Sequence, residues 1–235
     1  MGSGNGLPVH IAFIMDGNGR WAEAKRLPRA MGHRAGAQTV RRVTAFARRR
    51  GIPFLTLYAF STENWSRPRG EVDALMELLS AFLDDELPTL LENDIRLRML
   101  GDPAAIPSAT RERLALVQEK TAGLKGMTLS LAVNYGGRDE IVRAARRAAG
   151  GLAAAGRSPE SLDREFFESF LDTAGMPDPD LVIRTAGEKR LSNFLVWQSA
   201  YAELYFTPRT WPDFSDADFE AALDEYEKRI RKFGS

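Results

Sequence analysis

The sequence predicts one α/β domain around a mainly parallel β-sheet, and three observations carry that prediction. Six short runs rich in apolar and β-branched residues recur along the chain, at 11–15, 54–60, 95–100, 127–134, 181–184 and 203–206. Amphipathic segments of helical length separate them, the alternation that βαβ units produce. No repeat, low-complexity tract or linker interrupts the order, and 235 residues with 44% hydrophobic content suffice for a single large core. The glycine-rich opening, 1–9, reads as a flexible tail ahead of a domain at 10–235.

Each element carries its own punctuation. The first strand stops abruptly at Asp16; Gly17, Asn18 and Gly19 make a tight turn, and a helix opens with Arg20 and Trp21. Two glycines let backbone N–H groups approach an anion, and a helix N-terminus favours negative charge. A lone Asp at the strand tip suits Mg2+, which is usually held by one or two carboxylates plus substrate phosphates. The unit reads either as a metal–diphosphate site or as an ordinary βα turn with a capping Asn. Arg29 and His33, one helical turn apart, could add positive charge to that loop, although a lone histidine is more often structural. His10, at the start of the strand, is assigned no role.

The helix after Gly32 has Val40, Val43 and Phe46 on its apolar face and ends with Arg48, Arg49, Arg50 and Gly51. That triplet is an anion patch or, the favoured reading, an offset to the helix C-terminal dipole before a Gly cap. The second strand runs out into Ser61, Thr62, Glu63, Asn64, Trp65, Ser66 and Arg67, which is a polar site with an aromatic wall or a capped turn with a packed Trp. Residues 72–91 carry nine large apolar side chains, a face wider than one core contact needs. Such a helix is deeply buried or lines a cavity, and the pattern alone favours the core. The piece 148–156 reads as a frayed helix end and loop.

The fifth strand delivers Arg184, followed by a glycine turn and then Arg190, Leu191 and Ser192. Two arginines six apart suit bidentate recognition of a diphosphate. An Arg leaving an apolar strand needs an anionic partner, and Glu188 is one candidate within the chain. Glu203, in an aromatic setting, is a metal-ligand candidate or half of a structural ion pair. The last helix starts at Ser215 as N-cap, with Phe219, Leu223, Tyr226 and Ile230 facing inward.

Composition removes several functional classes. Lys+Arg and Asp+Glu both number 32, so the basic excess of a nucleic-acid binder is absent. The chain has no cysteine, which excludes disulfides and thiolate metal sites and fits a reducing compartment. Two histidines argue against zinc, and neither a G-x-S-x-G elbow nor a Walker A motif is present. No signal-peptide core or membrane-length apolar run is seen, so a soluble, cytoplasmic protein is expected. One metal, several arginines and a long apolar lining together call for a diphosphate-bearing substrate with a greasy tail.

An ordered set of motifs now bears on the family: HIAFIMDGNGRWA, the pair Gly32 and His33, LTLYAFSTENWSRP, NYGGR at 134–138, DLVIRTAGE, RLSNFLVWQSAYAELYF and WPDF. From about residue 10 to 233 the sequence resembles the cis-prenyltransferases of the undecaprenyl diphosphate synthase type. The resemblance implies a six-stranded mainly parallel sheet flanked by helices, an apolar tunnel and a homodimer. It also implies repeated Mg2+-dependent condensation of isopentenyl diphosphate onto an allylic diphosphate such as farnesyl diphosphate. Asp16 would be the essential carboxylate and Mg2+ ligand. Gly17, Asn18, Gly19 and Arg20 would cradle the allylic diphosphate, with Trp21, Arg29 and His33 completing the pocket. Ser61, Thr62, Glu63, Trp65 and Arg67 match the family's substrate loop, and Asn64 its proton acceptor. Arg184, Arg190 and Ser192, with Leu191 between them, would hold isopentenyl diphosphate, and Glu203 would bind the metal. Helix 72–91 would then line the tunnel, and small Ala59 would leave its mouth open for a long product that leaves through transient contact with a membrane surface.

The DDxxD motif of trans-acting synthases is not met, since Asp84-Asp85-Glu86-Leu87-Pro88 lacks the final Asp. Two departures from the family pattern stand out. Ala186 replaces its usual Ser or Gly, and Lys232-Phe233-Gly234 stands where an Arg-x-Gly would reach the neighbouring subunit.

Overall fold

The computed structural model describes residues 6–229. Strands β1 (His10–Ile14), β2 (Phe54–Ser61), β3 (Ile95–Leu100), β4 (Met127–Tyr135), β5 (Leu181–Arg184) and β6 (Glu203–Phe206) form one sheet. Its order is β3-β4-β2-β1-β5-β6 and every pairing is parallel. The helices are α1 (Asn18–Ala24), α2 (Arg29–Arg49), α3 (Arg69–Glu92), α4 (Ser108–Thr121), α5 (Gly137–Ala154), α6 (Arg164–Glu168) and α7 (Asp216–Lys228). The piece expected to fray from 148 is helical to Ala154.

A parallel sheet buries both faces, so its strands are apolar throughout and each parity of residue meets a different layer. Ile11 and Phe13 of β1, with Leu55, Leu57, Leu129, Leu131 and Ile183, belong to the main core under α2, α3, α4 and α7. Ala12 and Ile14, with Ala132 and Val182, join Phe194 and Leu195 in a second cluster. Phe13, Trp211, Phe214 and Phe219 pack with ring centroids 5.1–6.2 Å apart, and each such pair adds about 1 kcal/mol beyond its buried area.

Two compensating bulges break the parity where β2 meets β4. Tyr58 pairs with Ala132, Phe60 with Val133 and Ser61 with Tyr135, so Ala59 is an extra residue on β2 and Asn134 one on β4. Bulges re-aim side chains next to functional sites. Here Ala59 is turned out of the ladder, and Asn134, at φ 49°, accepts a hydrogen bond from Trp65 Nε1 at 2.7 Å.

The chain runs from β1 out through β2 to one edge of the sheet and returns to β5 on the other side of β1, so a crevice opens at the carboxyl end of β1, where open α/β sheets bind ligands. Glycines let the backbone close around it. Gly17 adopts φ 102°, and a Cβ there would come within 2.8 Å of the Ala186 Cβ. A Cβ on Gly32 of α2 would meet the Asn18 carbonyl oxygen at 2.0 Å.

Ser215 caps α7 through a capping box with Asp218, and Phe219, Leu223 and Tyr226 are buried. Ile230 and Lys232-Phe233-Gly234 lie outside the described residues. The arginines closing α2 meet acidic and carbonyl groups, Arg49 pairing with Asp216 at 2.9 Å, Arg50 with Glu220 at 3.0 Å, and Arg48 donating to the Asn93 carbonyl. Packing begins ahead of residue 10: Pro8 is buried, Leu7 leans on the main core, and the Val9 N–H donates to Asp180 at 2.7 Å. Among the described residues no helix is long and apolar enough to cross a membrane.

Candidate active site

Asp16 stands at the tip of β1 and meets Arg184 from the tip of β5, with Nη2 2.8 Å from Oδ2. Arg184 is 4% exposed at its side chain, and a charge so buried needs a partner. That partner is Asp16, whereas Glu188 pairs instead with Arg190. Arg184 Nη1 also donates to Ser192 Oγ and to the Arg190 carbonyl, both at 2.6 Å, which fixes the 190–192 loop against the strand tip. Thr185 Oγ1 and the Trp211 N–H both donate to the Asp16 carbonyl, at 2.6 and 2.9 Å. The Gly17 N–H, expected to face an anion, donates to the carboxylate of Asp16 itself at 2.7 Å. Arg20 binds the Ala186 carbonyl at 2.8 Å and approaches Asp16 at 3.5 Å. Arg184 Nε and Asn18 Oδ1 are buried without a hydrogen-bond partner.

The exit of β2 forms the second wall. Ser61 and Asn64 make a reciprocal cap, the Ser61 N–H donating to Asn64 Oδ1 at 3.0 Å. Trp65 packs edge-on against Phe60 at 4.9 Å. A capped turn with a packed Trp therefore exists, and it also presents Ser61, Asn64 and Arg67 to the Asp16 cleft, whose volume is about 210 Å³. Tyr58 stacks on Phe194 at 4.4 Å and donates to the Tyr135 carbonyl at 3.1 Å. Burial holds the Tyr58 hydroxyl well above the usual phenol range, so it remains protonated as a donor.

Arg29 and His33 on α2 face Arg67 and Glu71. Burial lowers the His33 pKa, the neighbouring Arg67 and Arg29 push the same way, and Glu71 opposes them. His33, Ala59 and Leu75 line both the polar cleft and an apolar cavity of about 110 Å³ beneath it. Met76, Leu78, Leu79 and Phe82 of α3 form one side of that cavity. Leu83 and Leu90 of the same helix are buried in the main core, so the core and lining readings each describe one side of α3, and Leu91 is exposed. The acidic run expected not to be a metal site is engaged by arginines, Asp84 with Arg113 and Asp85 with Arg41, both at 3.0 Å.

Several expected residues do not line the cleft. Trp21 donates to Asp213 at 2.8 Å and takes Lys25 over its ring. Thr62 turns to Asp139 and Glu63 to Asn193. Glu203 pairs in register with Leu181, three residues below Arg184 and so about 10 Å down the strands, and binds Arg229 at 2.7 Å. One chain therefore does not bring Glu203 to Asp16, and the ion-pair alternative describes its contacts. No cluster of three His, Asp or Glu forms among the described residues. The donor set, a single partly exposed carboxylate among arginines, fits a divalent ion that arrives with phosphate oxygens. Sequence reasoning missed Thr185, Tyr58 and Glu71; only Glu71 left a trace, its spacing of four from Arg67.

An open parallel sheet, with a cationic cleft at its strand tips and an apolar cavity leading from that cleft, defines an α/β protein shaped for an anionic headgroup on a hydrocarbon chain. The family model described as "Putative undecaprenyl diphosphate synthase" matches residues 14–234. The chain is 50% identical over 228 residues to the isoprenyl transferase of Rhizobium meliloti, spanning 97% of this chain and 92% of that one. To the isoprenyl transferase of Clostridium perfringens it is 46% identical over 228 residues, 97% and 90% of the two chains. Lavandulyl diphosphate synthase from Lavandula x intermedia, solved in complex with dimethylallyl diphosphate, superposes with a TM-score of 0.95 at 38% identity, over 98% of this chain and 99% of that one. A "probable undecaprenyl diphosphate synthase" from Campylobacter jejuni gives 0.80 at 36% identity over the whole of both. The chain belongs to the cis-prenyltransferase (isoprenyl transferase) family and is an enzyme of that class.

Proposed function

We propose that the protein condenses isopentenyl diphosphate repeatedly onto an allylic diphosphate such as farnesyl diphosphate, with Mg2+, giving a long cis-polyprenyl diphosphate of the undecaprenyl class. The observation that carries this reading is the continuity of cleft and cavity through His33, Ala59 and Leu75. A charged head beside Arg67 and Arg184 runs directly into hydrocarbon-lined space. In this reading Arg29, His33 and Arg67 take the allylic diphosphate, while Arg184, Arg190 and Ser192 take isopentenyl diphosphate. Asp16 would hold Mg2+, which when bound supplies neutralising charge to the phosphates. The arginines stabilise negative charge as the allylic diphosphate departs, and the alkene attacks the carbon it leaves. The Asn64 amide oxygen already accepts the Ser61 N–H, which supports an orienting role, with a diphosphate oxygen taking the proton. The proposal includes a homodimer in the cytoplasm whose apolar product passes to a membrane surface.

A second reading is a short- or medium-chain synthase. It is favoured by the likeness to lavandulyl diphosphate synthase. Turnover of farnesyl and isopentenyl diphosphates, with and without Mg2+ and with products sized, tests both. Chains that stop after one to three condensations favour the second reading; no prenyl product in any condition overturns both.

A further inference from the structure

The first turn of α3 sets one carboxylate among three nitrogen bases. Glu71 Oε1 accepts a hydrogen bond from Arg67 at 3.0 Å and lies 3.9 Å from His33 Nε2, while Oε2 is 3.7 Å from Arg29. The Glu71 and His33 side chains are both largely buried, so solvent screens that contact weakly, whereas the exposed Arg29 meets Glu71 at a well-screened edge. Two of the three are ion-pair distances without a hydrogen bond. The carboxylate thus neutralises Arg29 and faces His33 more than it fixes their geometry. Arg29 and His33 come from α2 and Arg67 from the residues leading into α3, and Glu71 bridges the first turn of α3 to the two α2 residues. Leu75, one helical turn further along α3, lines both the polar cleft and the apolar cavity.

We propose that Glu71 is an internal counter-anion which the incoming diphosphate must displace. This rests on the reading that Arg29, His33 and Arg67 receive the allylic diphosphate. A multiply charged diphosphate among those groups would face the Glu71 carboxylate at a few ångströms, where like charges repel strongly in a partly buried site. Glu71 then gives up its partners, and the first turn of α3 loses its ion-pair contacts with Arg29 and His33 of α2. Because Leu75 rides on the next turn, arrival of the charged head loosens the wall that the hydrocarbon tail needs to pass. Glu71 is a positioning residue in this scheme and takes no part in the chemistry.

Calorimetric titration with inorganic pyrophosphate tests the displacement. Glu71→Gln keeps the shape and an oxygen for Arg67 but removes the competing charge, so pyrophosphate should bind about tenfold tighter than to the wild type. Glu71→Asp, which draws the carboxylate back by one methylene, should bind about threefold tighter and decides the matter in the same way if the Gln variant does not fold. In turnover assays Glu71→Gln should lower KM for the allylic diphosphate and leave KM for isopentenyl diphosphate unchanged. Binding as weak as wild type or weaker would make Glu71 a brace that prearranges the arginines, and would overturn the proposal alone. A wild-type protein that binds no pyrophosphate would overturn the diphosphate assignment and this inference together.

Discussion

The two ends of the parallel sheet hold comparable polar residues in opposite states of satisfaction. At the amino ends of the strands His10 is wholly buried, yet Nδ1 meets the Pro177 carbonyl and Nε2 meets Thr56 Oγ1, both at 2.8 Å. Asp180 accepts the Val9 and His10 N–H groups there, and Glu203 has Arg229. At the carboxyl ends, Asn18 Oδ1 and Arg184 Nε are buried without partners. Ala186, Ser192, Asn193 and Leu195 all hold positive φ beside them. Residue type does not separate the two ends, since each has an arginine, a histidine and carboxylates. Bonding state does. Satisfied buried groups stabilise a fold, whereas unsatisfied and strained ones persist where the surroundings over-determine them, and they gather at sites that act on ligands.

The sharpest way to break that contrast is Asp16→Asn, which keeps the acceptor for the Gly17 N–H and removes the charge. Turnover per folded molecule should fall about a thousandfold, and the thermal midpoint should fall as well because the buried Arg184 loses its charged partner. A large loss of stability with turnover per folded molecule preserved would make the carboxyl end structural as well. At the amino end the expected response is to acid. Burial lowers the His10 pKa from 6.5 to about 4, so folding favours the neutral ring. The stabilisation is complete above pH 6.5 and is lost as pH falls towards 4, by about 3 kcal/mol in all. Denaturant titrations across that range should show the decline, and His10→Gln should flatten it without altering turnover per folded molecule at neutral pH. An unchanged slope in the variant would assign the acid sensitivity elsewhere.

Ala59→Leu narrows the junction of cleft and cavity. It should shift products to shorter chains at a similar first-condensation rate, and an unaltered product distribution would remove Ala59 from chain-length control. The smallest effect concerns the strained loop. Ala186 at φ 68° pays a steric cost that glycine does not, so Ala186→Gly should stabilise by about 1 kcal/mol, raising the thermal midpoint about 2–4 °C. No gain would mean that the lost methyl contact or the unfolded chain's freedom offsets the relief.

Much of this was legible because it is local. Apolar runs ending in a lone Asp or Arg put every strand within a residue of its observed bounds and put Asp16 and Arg184 at strand tips. Pairing across the chain was not legible. The partner of Arg184 lies 168 residues away, and the sequence offers Glu188 only as one candidate beside a diphosphate. Glu203, a metal ligand by resemblance, pairs in register with Leu181 and within this chain lies at the other end of the sheet from Asp16. Glu71 went unread because a carboxylate four residues from an arginine is the ordinary look of a solvated helix face. The two-sided role of α3 shows the same limit, since periodicity reports an apolar stripe without saying whether protein or open space lies against it.

The bulges at Ala59 and Asn134 have a consequence in terms of insertions and deletions. The offset between paired residues is the same before and after the two extra residues, so each cancels the other. Losing one codon at 59 alone leaves the extra residue Asn134 uncompensated, so β4 is a residue too long for its neighbour. Losing one at 134 alone does the reverse. A chain lacking both would pair regularly, but without Ala59 at the junction of cleft and cavity and without the Asn134 amide that accepts the Trp65 indole N–H. Substitutions can tune this site one position at a time, whereas changes of length reach it only as a matched pair.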